Sequence, residues 1–290
     1  MPQEKMNPHA RCEVCSMGSL SSTPYTIIED VPYSICEHCN SIYVANRNYL
    51  SAHKKRAYNP DYWNNELSSC RSRSFGSTLA RIAEVFLYAR IPISRFIDIG
   101  CGPGYTLDAI GMLMPKHSNI FYGVELYPPP PEFRSTNQNY IEGTISSCGM
   151  TFSAGICIEV IEHMFPDQLH DLAKEIAEAS QYGALYYFNS AQPDHLVHSD
   201  PGYLDPYGRG HIASYSLKGL QALFEKYGFR VIPLFGRDWA FLIEKGSKDD
   251  DEDITPSKLL DRIWNALPEN TYKLINNGFG PLMPTIGIES

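Results

Sequence analysis

The 290-residue chain carries a formal net charge of -9 at pH 7, and its hydrophobic content of 43% is ordinary for a globular protein with one large and one small domain. The acidic balance argues against tight binding to nucleic acid, which usually needs a basic face. No apolar run is long enough to cross a bilayer, and segment 1–10 has no apolar core typical of a secretory signal, so we expect a cytoplasmic protein whose cysteines are thiols or metal ligands.

Two C-x-x-C pairs close to the N-terminus predict a small metal module. The first pair is Cys12 and Cys15, and the second pair, Cys36 and Cys39, follows after a loop of about twenty residues. Two such knuckles supply four thiolates to one tetrahedral ion, so the spacing predicts a structural zinc. Free or redox-active cysteines are the alternative interpretation. We assign residues 1–48 to this zinc-binding module.

A polar, aromatic connector, residues 49–76, precedes a series of alternating strands and helices. Helical periodicity or capping signals predict helices over 77–90, 105–114, 166–180 and after Ser216. The predicted strands are 95–99, 120–126, 139–142, 155–160, 184–188, 229–234 and 239–244. The alternation predicts an α/β fold with a doubly wound, mostly parallel, seven-stranded sheet, and we assign 77–246 to that domain. Residues 247–290 form a charged linker and a tail expected to pack on the core or to support an oligomer contact.

The clearest chemical signal lies between the first predicted strand of that domain and the helix after it. Glycines at alternate positions let the backbone turn tightly and lie against a ligand, and Glu125 ends the next strand, where a carboxylate can accept both ribose hydroxyls. The motif is G-x-G-x-G rather than the G-x-G-x-x-G of dinucleotide enzymes. Asp98 at the strand end would repel a pyrophosphate but suits a ligand with an ammonium and a sulfonium group.

This pattern resembles the class I S-adenosylmethionine (SAM)-dependent methyltransferases over roughly residues 58–245. The resemblance implies the Rossmann-like class I methyltransferase fold, SAM as the cofactor and methyl transfer as the reaction. Segments 155–163 and 203–229 are similar to the fourth-strand segment and the substrate-side loop of that superfamily. The predicted cofactor-binding residues are Asp98, Gly100, Cys101, Gly102, Gly104, Glu125, Leu126, Thr144 and Glu159, with Tyr58 and Tyr62 capping the pocket.

The placement of the zinc module resembles the N-terminal segment of bacterial sugar C-methyltransferases, where a stretch like Val31-Pro32-Tyr33 precedes the second knuckle. Those enzymes are considerably longer and carry a further C-terminal domain. The resemblance therefore does not imply the same reaction.

Four side chains are candidates for the chemistry at the acceptor. Glu159, Glu162 and His163 follow the fourth strand, and His211 lies in a later loop expected to return to the same crevice. A histidine there can remove the acceptor proton. The E-x-x-E-H segment with a distant histidine also resembles the metal-dependent ubiquinone-pathway and small-RNA 2′-O-methyltransferases, which implies magnesium or manganese, although Met164 stands where the RNA enzymes usually have another histidine. The alternative is that Glu162 and His163 only begin a helix.

These features predict O-methylation of a carbohydrate or small-molecule acceptor. The resemblance of the zinc module and the catalytic domain to known enzymes implies a role in polysaccharide or natural-product biosynthesis. Five aromatic residues could provide surfaces on which a sugar stacks, or could simply pack in the core and loops: Tyr186, Tyr187, Tyr203, Tyr207 and Trp239. One alternative is an RNA methyltransferase that reads RNA with its zinc module, which the acidic charge disfavours. The other is a non-catalytic SAM-binding or zinc-mediated interaction protein. The sequence makes no prediction of the oligomeric state.

Overall fold

The computed structural model describes residues 10–50, 60–246 and 254–275. The strands within these ranges are β1 (Thr26–Ile28), β2 (Val31–Ile35), β3 (Ile42–Tyr43), β4 (Phe96–Ile99), β5 (Phe121–Glu125), β6 (Tyr140–Glu142), β7 (Phe152–Ile158), β8 (Ser180–Asn189), β9 (Ala213–Ser214), β10 (Phe229–Pro233) and β11 (Ala240–Lys245). The α-helices are α1 (Pro60–Ser74), α2 (Ser77–Tyr88), α3 (Tyr105–Leu113), α4 (Pro166–Glu178), α5 (Pro193–His198), α6 (Leu217–Phe224), α7 (Pro256–Trp264) and α8 (Pro268–Ile275).

The large sheet has seven strands in the order β10-β11-β8-β7-β4-β5-β6. Strands β4 to β8 pair in parallel, and β11 runs antiparallel to both of its neighbours. This is the doubly wound class I methyltransferase sheet predicted from the sequence, and that prediction is confirmed. The chain order reverses at β4, which pairs with β5 on one side and β7 on the other, so the carboxyl ends of these strands open a crevice where ligands bind in such sheets.

Side chains that alternate along each strand fill two separate cores, one on each face of the sheet. Ile97 and Ile99 of β4 pack in the core that also takes the buried side chains of α4 and α6. Phe96, which precedes them and lies on the opposite face, packs with α2 and α3, where its ring lies 5.1 Å from that of Phe121. The period of two along a strand covered on both faces explains why these strands are apolar throughout.

Two central strands differ from their predicted bounds. Strand β7 ends at Ile158 rather than at 160, because Glu159 adopts a left-handed backbone with φ +56° that cannot continue a strand. Strand β8 begins at Ser180, four residues before the prediction, although it contains Gly183 at φ +78°. The prediction began this strand at residue 184, whereas the strand passes through Gly183 with a register shift against β7.

The predicted connector contains helix α1, which the sequence analysis did not predict. Its composition is polar and rich in serine and asparagine, which are weak helix formers, so it carries no strong helical periodicity. The helix packs against α2 and α3. Its last turn places the Arg71 guanidinium over the rings of Phe75 and Tyr105, so contacts with neighbouring helices support it.

The C-terminal helices α7 and α8 pack on the core of the large domain, one of the two roles expected for the tail. Arg262 of α7 is buried and donates to both carboxylate oxygens of Glu244 on β11 at 2.9 Å. Asn270 of α8 accepts from the backbone of Ile93 and donates to that of Ile91. These buried polar contacts fix the tail to the start of β4 and the end of β11.

The second sheet has four strands in the order β1-β2-β3-β9, all antiparallel. Three strands come from the cysteine-rich N-terminal segment. The fourth, β9, belongs to the loop between α5 and α6 of the large domain and pairs with β3 through Ile42↔Ser214 and Tyr43↔Ala213. The two parts of the chain are therefore joined by a continuous sheet.

In the described ranges, every helix is too short or too polar to cross a bilayer.

Candidate functional site

The glycine loop after β4 has the tight geometry that its spacing predicted. Gly100, Gly102 and Gly104 have φ values of +72°, +55° and +79°, a region that favours glycine. A Cβ on Gly100 would lie 2.5 Å from a methyl carbon of Val160, and one on Gly104 would lie 2.6 Å from the ring of Tyr140. The loop therefore excludes side chains for steric reasons as well as for backbone ones.

Asp98 lies on β4 immediately before this loop and is 6% exposed. Burial raises the pKa of Asp98 to about 7, and the negative charge of Glu125 contributes to the shift. A positively charged partner would stabilise the ionised form of a carboxyl group in such a site and so lower its pKa. The observation agrees with the cationic ligand that the motif predicted.

Glu125 ends β5 and ties the glycine loop to the next strand. Its two carboxylate oxygens accept from the backbone N–H groups of Gly102 and Tyr127, each at 2.8 Å. Burial raises the pKa of Glu125, and these backbone hydrogen bonds oppose that shift. The carboxylate therefore lies beside the loop at the carboxyl end of β5.

The remaining predicted cofactor residues surround the same edge of the sheet. Cys101 is buried, and its sulfur would lie 2.8 Å from a Cβ on Gly123, so its side chain packs on β5 and its backbone lines the loop. Leu126, directly after β5, is half exposed. Thr144 follows β6 and precedes the turn Ile145–Cys148, where its N–H donates to the Ser147 hydroxyl at 3.2 Å. Tyr58 lies outside the described residues, and the side chain of Tyr62 is likewise not described.

Tyr140 is a site residue that sequence reasoning missed. Its hydroxyl donates to the carbonyl oxygen of Gly102 at 2.8 Å, while its ring covers Gly104. It stands at the start of β6, where an aromatic residue is common for many reasons. Only the parallel pairing of β6 with β5 brings it over the loop, so no local signal could have identified it.

Three of the four candidate catalytic residues come together. Ligand-type atoms of Glu162, His163 and His211 all lie within 4.8 Å of one another, and the two imidazole centroids are 5.0 Å apart. Nδ1 of His163 bonds to the carbonyl oxygen of Gly210 at 2.9 Å, and Nδ1 of His211 bonds to that of Tyr203 at 2.8 Å. Since a carbonyl oxygen only accepts, each Nδ1 carries a proton and each Nε2 is the basic nitrogen.

Glu162 is the most strongly perturbed member of this cluster. It is fully buried, and neither carboxylate oxygen has a hydrogen-bond partner among the described residues. Burial raises its pKa well above the usual range, and the negative charge of Glu159 raises it further. A buried carboxylate without a partner costs free energy unless a proton or a cation neutralises it. The cluster therefore fits a protonated histidine or a divalent ion.

Glu159 lies next to this cluster rather than within it. Its Oε1 accepts from Nδ2 of Asn189 at 2.6 Å, and Oδ1 of Asn189 accepts from Nε of Arg81 at 2.9 Å. The Arg81 guanidinium lies over the ring of Trp239. Sequence reasoning missed Arg81 and Asn189, because they reach Glu159 from α2 and from the end of β8, far away along the chain.

The aromatic residues suggested for sugar stacking are mostly core residues. Tyr186 and Tyr187 are at most 1% exposed, on opposite faces of the large sheet, and Tyr203 is also buried. The guanidinium groups of Arg81 and Arg237 lie over Trp239 at 4.8 and 5.3 Å. Ordinary packing, the other role considered for these residues, therefore holds for the three tyrosines, because alternation along β8 and packing around the loop bury them.

The four cysteines of the N-terminal segment form a second, separate cluster. All are buried, and their sulfur atoms lie within 4.8 Å of one another, with Cys12 to Cys39 at 4.0 Å and Cys15 to Cys36 at 3.8 Å. Zinc–sulfur bonds of about 2.3 Å in a tetrahedron require sulfur–sulfur distances of about 3.8 Å. The backbone N–H groups of His38 and Cys39 donate to the Cys36 sulfur at 3.4 Å, as expected for a thiolate. The donor set fits a tetrahedral zinc ion.

Comparisons with known proteins give one family model that matches the chain and a set of solved structures to which it is similar. Residues 52–234 match a family model described as a methyltransferase domain. Among solved structures, DesVI of Streptomyces venezuelae is similar at 15% identity and a TM-score of 0.48, over 64% of this chain and 98% of that chain. SAM-bound CalS10 of Micromonospora echinaspora, an amino pentose methyltransferase, is similar at 14% identity and a TM-score of 0.46, over 66% and 99%. No curated protein sequence matches.

Proposed function

The chain belongs to this methyltransferase domain family and is a SAM-dependent methyltransferase. From that premise we propose that it methylates a hydroxyl group of a carbohydrate or small-molecule acceptor. The observation that carries the proposal is the cluster of Glu162, His163 and His211, whose ligand-type atoms lie within 4.8 Å of one another. A hydroxyl is a weak nucleophile at neutral pH and needs a base or a metal ion, whereas a neutral amine does not.

SAM supplies an electrophilic methyl group, and the residues of this chain bind and orient it. We propose that the glycine loop lies against the amino-acid end of SAM, that Asp98 pairs with its ammonium group and that Glu125 accepts its ribose hydroxyls. The burial of Asp98 supports its role, because a cationic partner would offset the cost of ionising that carboxyl. The two backbone hydrogen bonds to Glu125 orient its carboxylate. Leu126 and Thr144 would border the adenine.

A histidine of the cluster is proposed to remove the proton of the acceptor hydroxyl. The Nδ1 bonds to Gly210 and Tyr203 fix both rings and direct the basic Nε2 atoms away from those carbonyls. The Glu162 carboxylate would stabilise the imidazolium that forms when the proton arrives. Glu159, held by Asn189, adds a second negative charge nearby.

A divalent ion is the second form of the same proposal. Glu162, His163 and His211 would hold magnesium or manganese, and the ion would lower the pKa of a bound hydroxyl. Two observations support the fit: the buried Glu162 carboxylate has no hydrogen-bond partner among the described residues, and both histidines are fixed through Nδ1, as metal-bound histidines usually are. Glu159 would need to turn from Asn189 to join this set.

Charge supports a small or carbohydrate acceptor over RNA. Residues 1–48 of the zinc module carry three basic side chains, Lys5, Arg11 and Arg47, against five acidic ones, Glu4, Glu13, Glu29, Asp30 and Glu37. A module that reads RNA needs the opposite balance, because phosphate contacts dominate the affinity.

We also propose that Cys12, Cys15, Cys36 and Cys39 hold one structural zinc ion, and that residues 1–48 form the module around it. The sulfur–sulfur distances support this ligand set. Four thiolates complete a tetrahedral coordination shell, so the ion would stabilise the fold and take no part in the reaction.

The acceptor proposal is tested by a screen for transfer of the labelled methyl group of SAM to pools of carbohydrates, small hydroxylated molecules, amines and RNA. Transfer to a hydroxyl in the first two pools is the expected result, and transfer confined to amines or RNA would contradict it. Each reaction is repeated with magnesium, with manganese and after brief chelation that leaves the zinc content unchanged. Activity that requires the added ion selects the metal form, and activity that survives chelation selects the histidine form.

A further inference from the structure

The loop that carries His211 is held from two sides by different parts of the chain. On one side, the Ile212 N–H donates to the carbonyl oxygen of Glu162 at 2.8 Å, and the Tyr215 hydroxyl donates to that of Met164 at 2.7 Å. With the His163–Gly210 bond, these contacts tie residues 210–215 to the turn that follows β7. The candidate cluster is thus assembled from two segments that are joined by one backbone hydrogen bond and by two side-chain hydrogen bonds to backbone carbonyls.

On the other side, the cysteine-rich module holds the same residues. The Tyr33 hydroxyl donates to the carbonyl oxygen of His211 at 2.8 Å, and the Val44 N–H donates to that of Ile212 at 2.9 Å. Strand β9 then completes the module's sheet. Tyr33 is fully buried, so bulk solvent does not compete with the His211 carbonyl oxygen for its hydroxyl.

The contact between the module and the large domain continues past β9 into helix α6. The Ser216 hydroxyl donates to the carbonyl oxygen of Cys39, and Ser41 Oγ accepts from the Ser216 N–H at 3.1 Å. A Cβ on Gly219 would lie 2.3 Å from Ser41 Oγ and 3.2 Å from the Cys39 sulfur. The helix therefore lies directly against the second knuckle, and movement of that knuckle would be transmitted to the loop.

We propose that the module is the positioning element of the acceptor-side cluster, and that Tyr33 is its principal positioning residue. The His211 carbonyl oxygen accepts a hydrogen bond from the Tyr33 hydroxyl, and β9 pairs with the module's sheet. These two contacts fix residues 211–214 at the distance from Glu162 and His163 that the reaction needs. This inference rests on the proposed role of His211. It also assigns the zinc segment a task within the reaction rather than recognition of a separate partner.

The test compares Tyr33→Phe with Tyr25→Phe in the full chain with its zinc content verified. Both substitutions remove one phenolic hydroxyl from the same segment, but Tyr25 is 42% exposed and does not contact His211 through its hydroxyl. We expect Tyr33→Phe to lower kcat about five- to twentyfold while leaving the KM for SAM unchanged, because one positioning hydrogen bond is lost. Tyr25→Phe should stay within about twofold of the parent protein.

Hydrogen–deuterium exchange supplies a second readout that does not depend on activity. In Tyr33→Phe the amides of peptides spanning 210–215 should exchange about tenfold faster, and those of β4 and β5 should not change. Unchanged exchange in those peptides would overturn the inference whatever kcat does. Faster exchange with an unchanged kcat would also overturn it, since the module would then hold a loop that the reaction does not use. If the parent protein methylates no hydroxyl acceptor, the proposed function fails, and the exchange result alone decides whether the module positions the loop.

Discussion

Two clusters of potential metal ligands lie within the described residues, and they differ in how they are closed. The cysteine cluster has four thiols, which complete the ligand set of a tetrahedral ion, and the Cys36 sulfur accepts two backbone N–H groups. The second cluster has three side chains from Glu162, His163 and His211, and a buried carboxylate without a partner among the described residues. A closed ligand set suits a structural ion, and an incomplete set leaves room for a reacting group.

The difference shows that similar ligand chemistry can serve stability in one region and reaction in another. The closed cluster should determine whether the module folds, with little direct effect on the bond being made. The open cluster should determine the rate, and its loss should cost little stability. Two predictions test these two roles. Two further predictions concern SAM affinity, which should depend on residues near the glycine loop and not on either cluster.

The largest effect is expected from Cys36→Ser, which removes a ligand of the closed cluster. The variant should lose its zinc and the fold of residues 10–46, because zinc binding to such modules supplies on the order of 10 kcal/mol. Elemental analysis and circular dichroism measure both quantities. Cys148→Ser, at a buried cysteine of the large domain, is the matched control and should retain one zinc per chain. A Cys36→Ser protein with full zinc content would show that the four cysteines are not the ligand set.

The open cluster is tested by Glu162→Gln, which keeps the shape of the side chain and removes its charge. We expect kcat to fall by a factor of about 100 or more, equivalent to roughly 3 kcal/mol. The free energy of unfolding, from urea titration, should stay equal or rise, because the amide of the variant cannot ionise and the cost of burying a carboxylate charge is avoided. The exposed Glu178→Gln serves as the control. A stability loss in Glu162→Gln with an unchanged kcat would reverse the comparison and make this cluster structural.

Cofactor affinity should depend on Glu125 and not on either cluster. Glu125→Ala loses the proposed ribose contact and the bonds that tie the loop to β5, so SAM should bind about 1–3 kcal/mol more weakly. Calorimetry with SAM and S-adenosylhomocysteine measures this, and Glu178→Ala is the control. Equal affinities in the parent and Glu125→Ala proteins would remove Glu125 from the site. Binding of NAD without binding of SAM would overturn the cofactor assignment altogether.

The smallest effect concerns pH. Burial raises the pKa of Asp98 to about 7, so the carboxyl is protonated below that pH and cannot pair with the ammonium group of SAM. Lowering the pH from about 8 to about 6 should therefore weaken SAM binding, by up to about tenfold for one unit below the pKa. Calorimetry across this range measures the effect, and Asp98→Asn should bind weakly with a flat profile. An unchanged slope in Asp98→Asn would assign the pH dependence to another group.

Local sequence spacing was enough to predict the closed cluster and the glycine loop. The C-x-x-C pairs and the turn from Asp98 to Gly104 each lie within a few residues, so their geometry follows from the backbone between them. The seven-stranded sheet was predictable because β–α alternation restricts the topology. Helix α1 was not predictable, since its support comes from packing against α2 and α3 rather than from its own composition.

The sequence could group the residues of the open cluster only from the expected topology of the sheet and from resemblance to known enzymes. His211 lies 48 residues after His163, and its position depends on the pairing of β9 with the module's sheet. Strand β9 has only two residues, which is too short a segment to be predicted as a strand from sequence. Glu159 was grouped with Glu162 by spacing, but its left-handed backbone directs its carboxylate to Asn189. Tyr33 and Tyr140 reach the site through their hydroxyl groups from other strands, so only the folded chain identifies them.

The most direct test of the central claim is the linkage of the methylated product, determined by mass spectrometry and NMR for the parent protein and for His163→Ala combined with His211→Ala. Our proposal predicts a new C–O–CH3 group made by the parent protein. It also predicts a loss of at least about a hundredfold in the double variant, which should still bind S-adenosylhomocysteine normally. A methyl group on nitrogen or carbon, or full activity in the double variant, would contradict the claim that this cluster activates a hydroxyl acceptor.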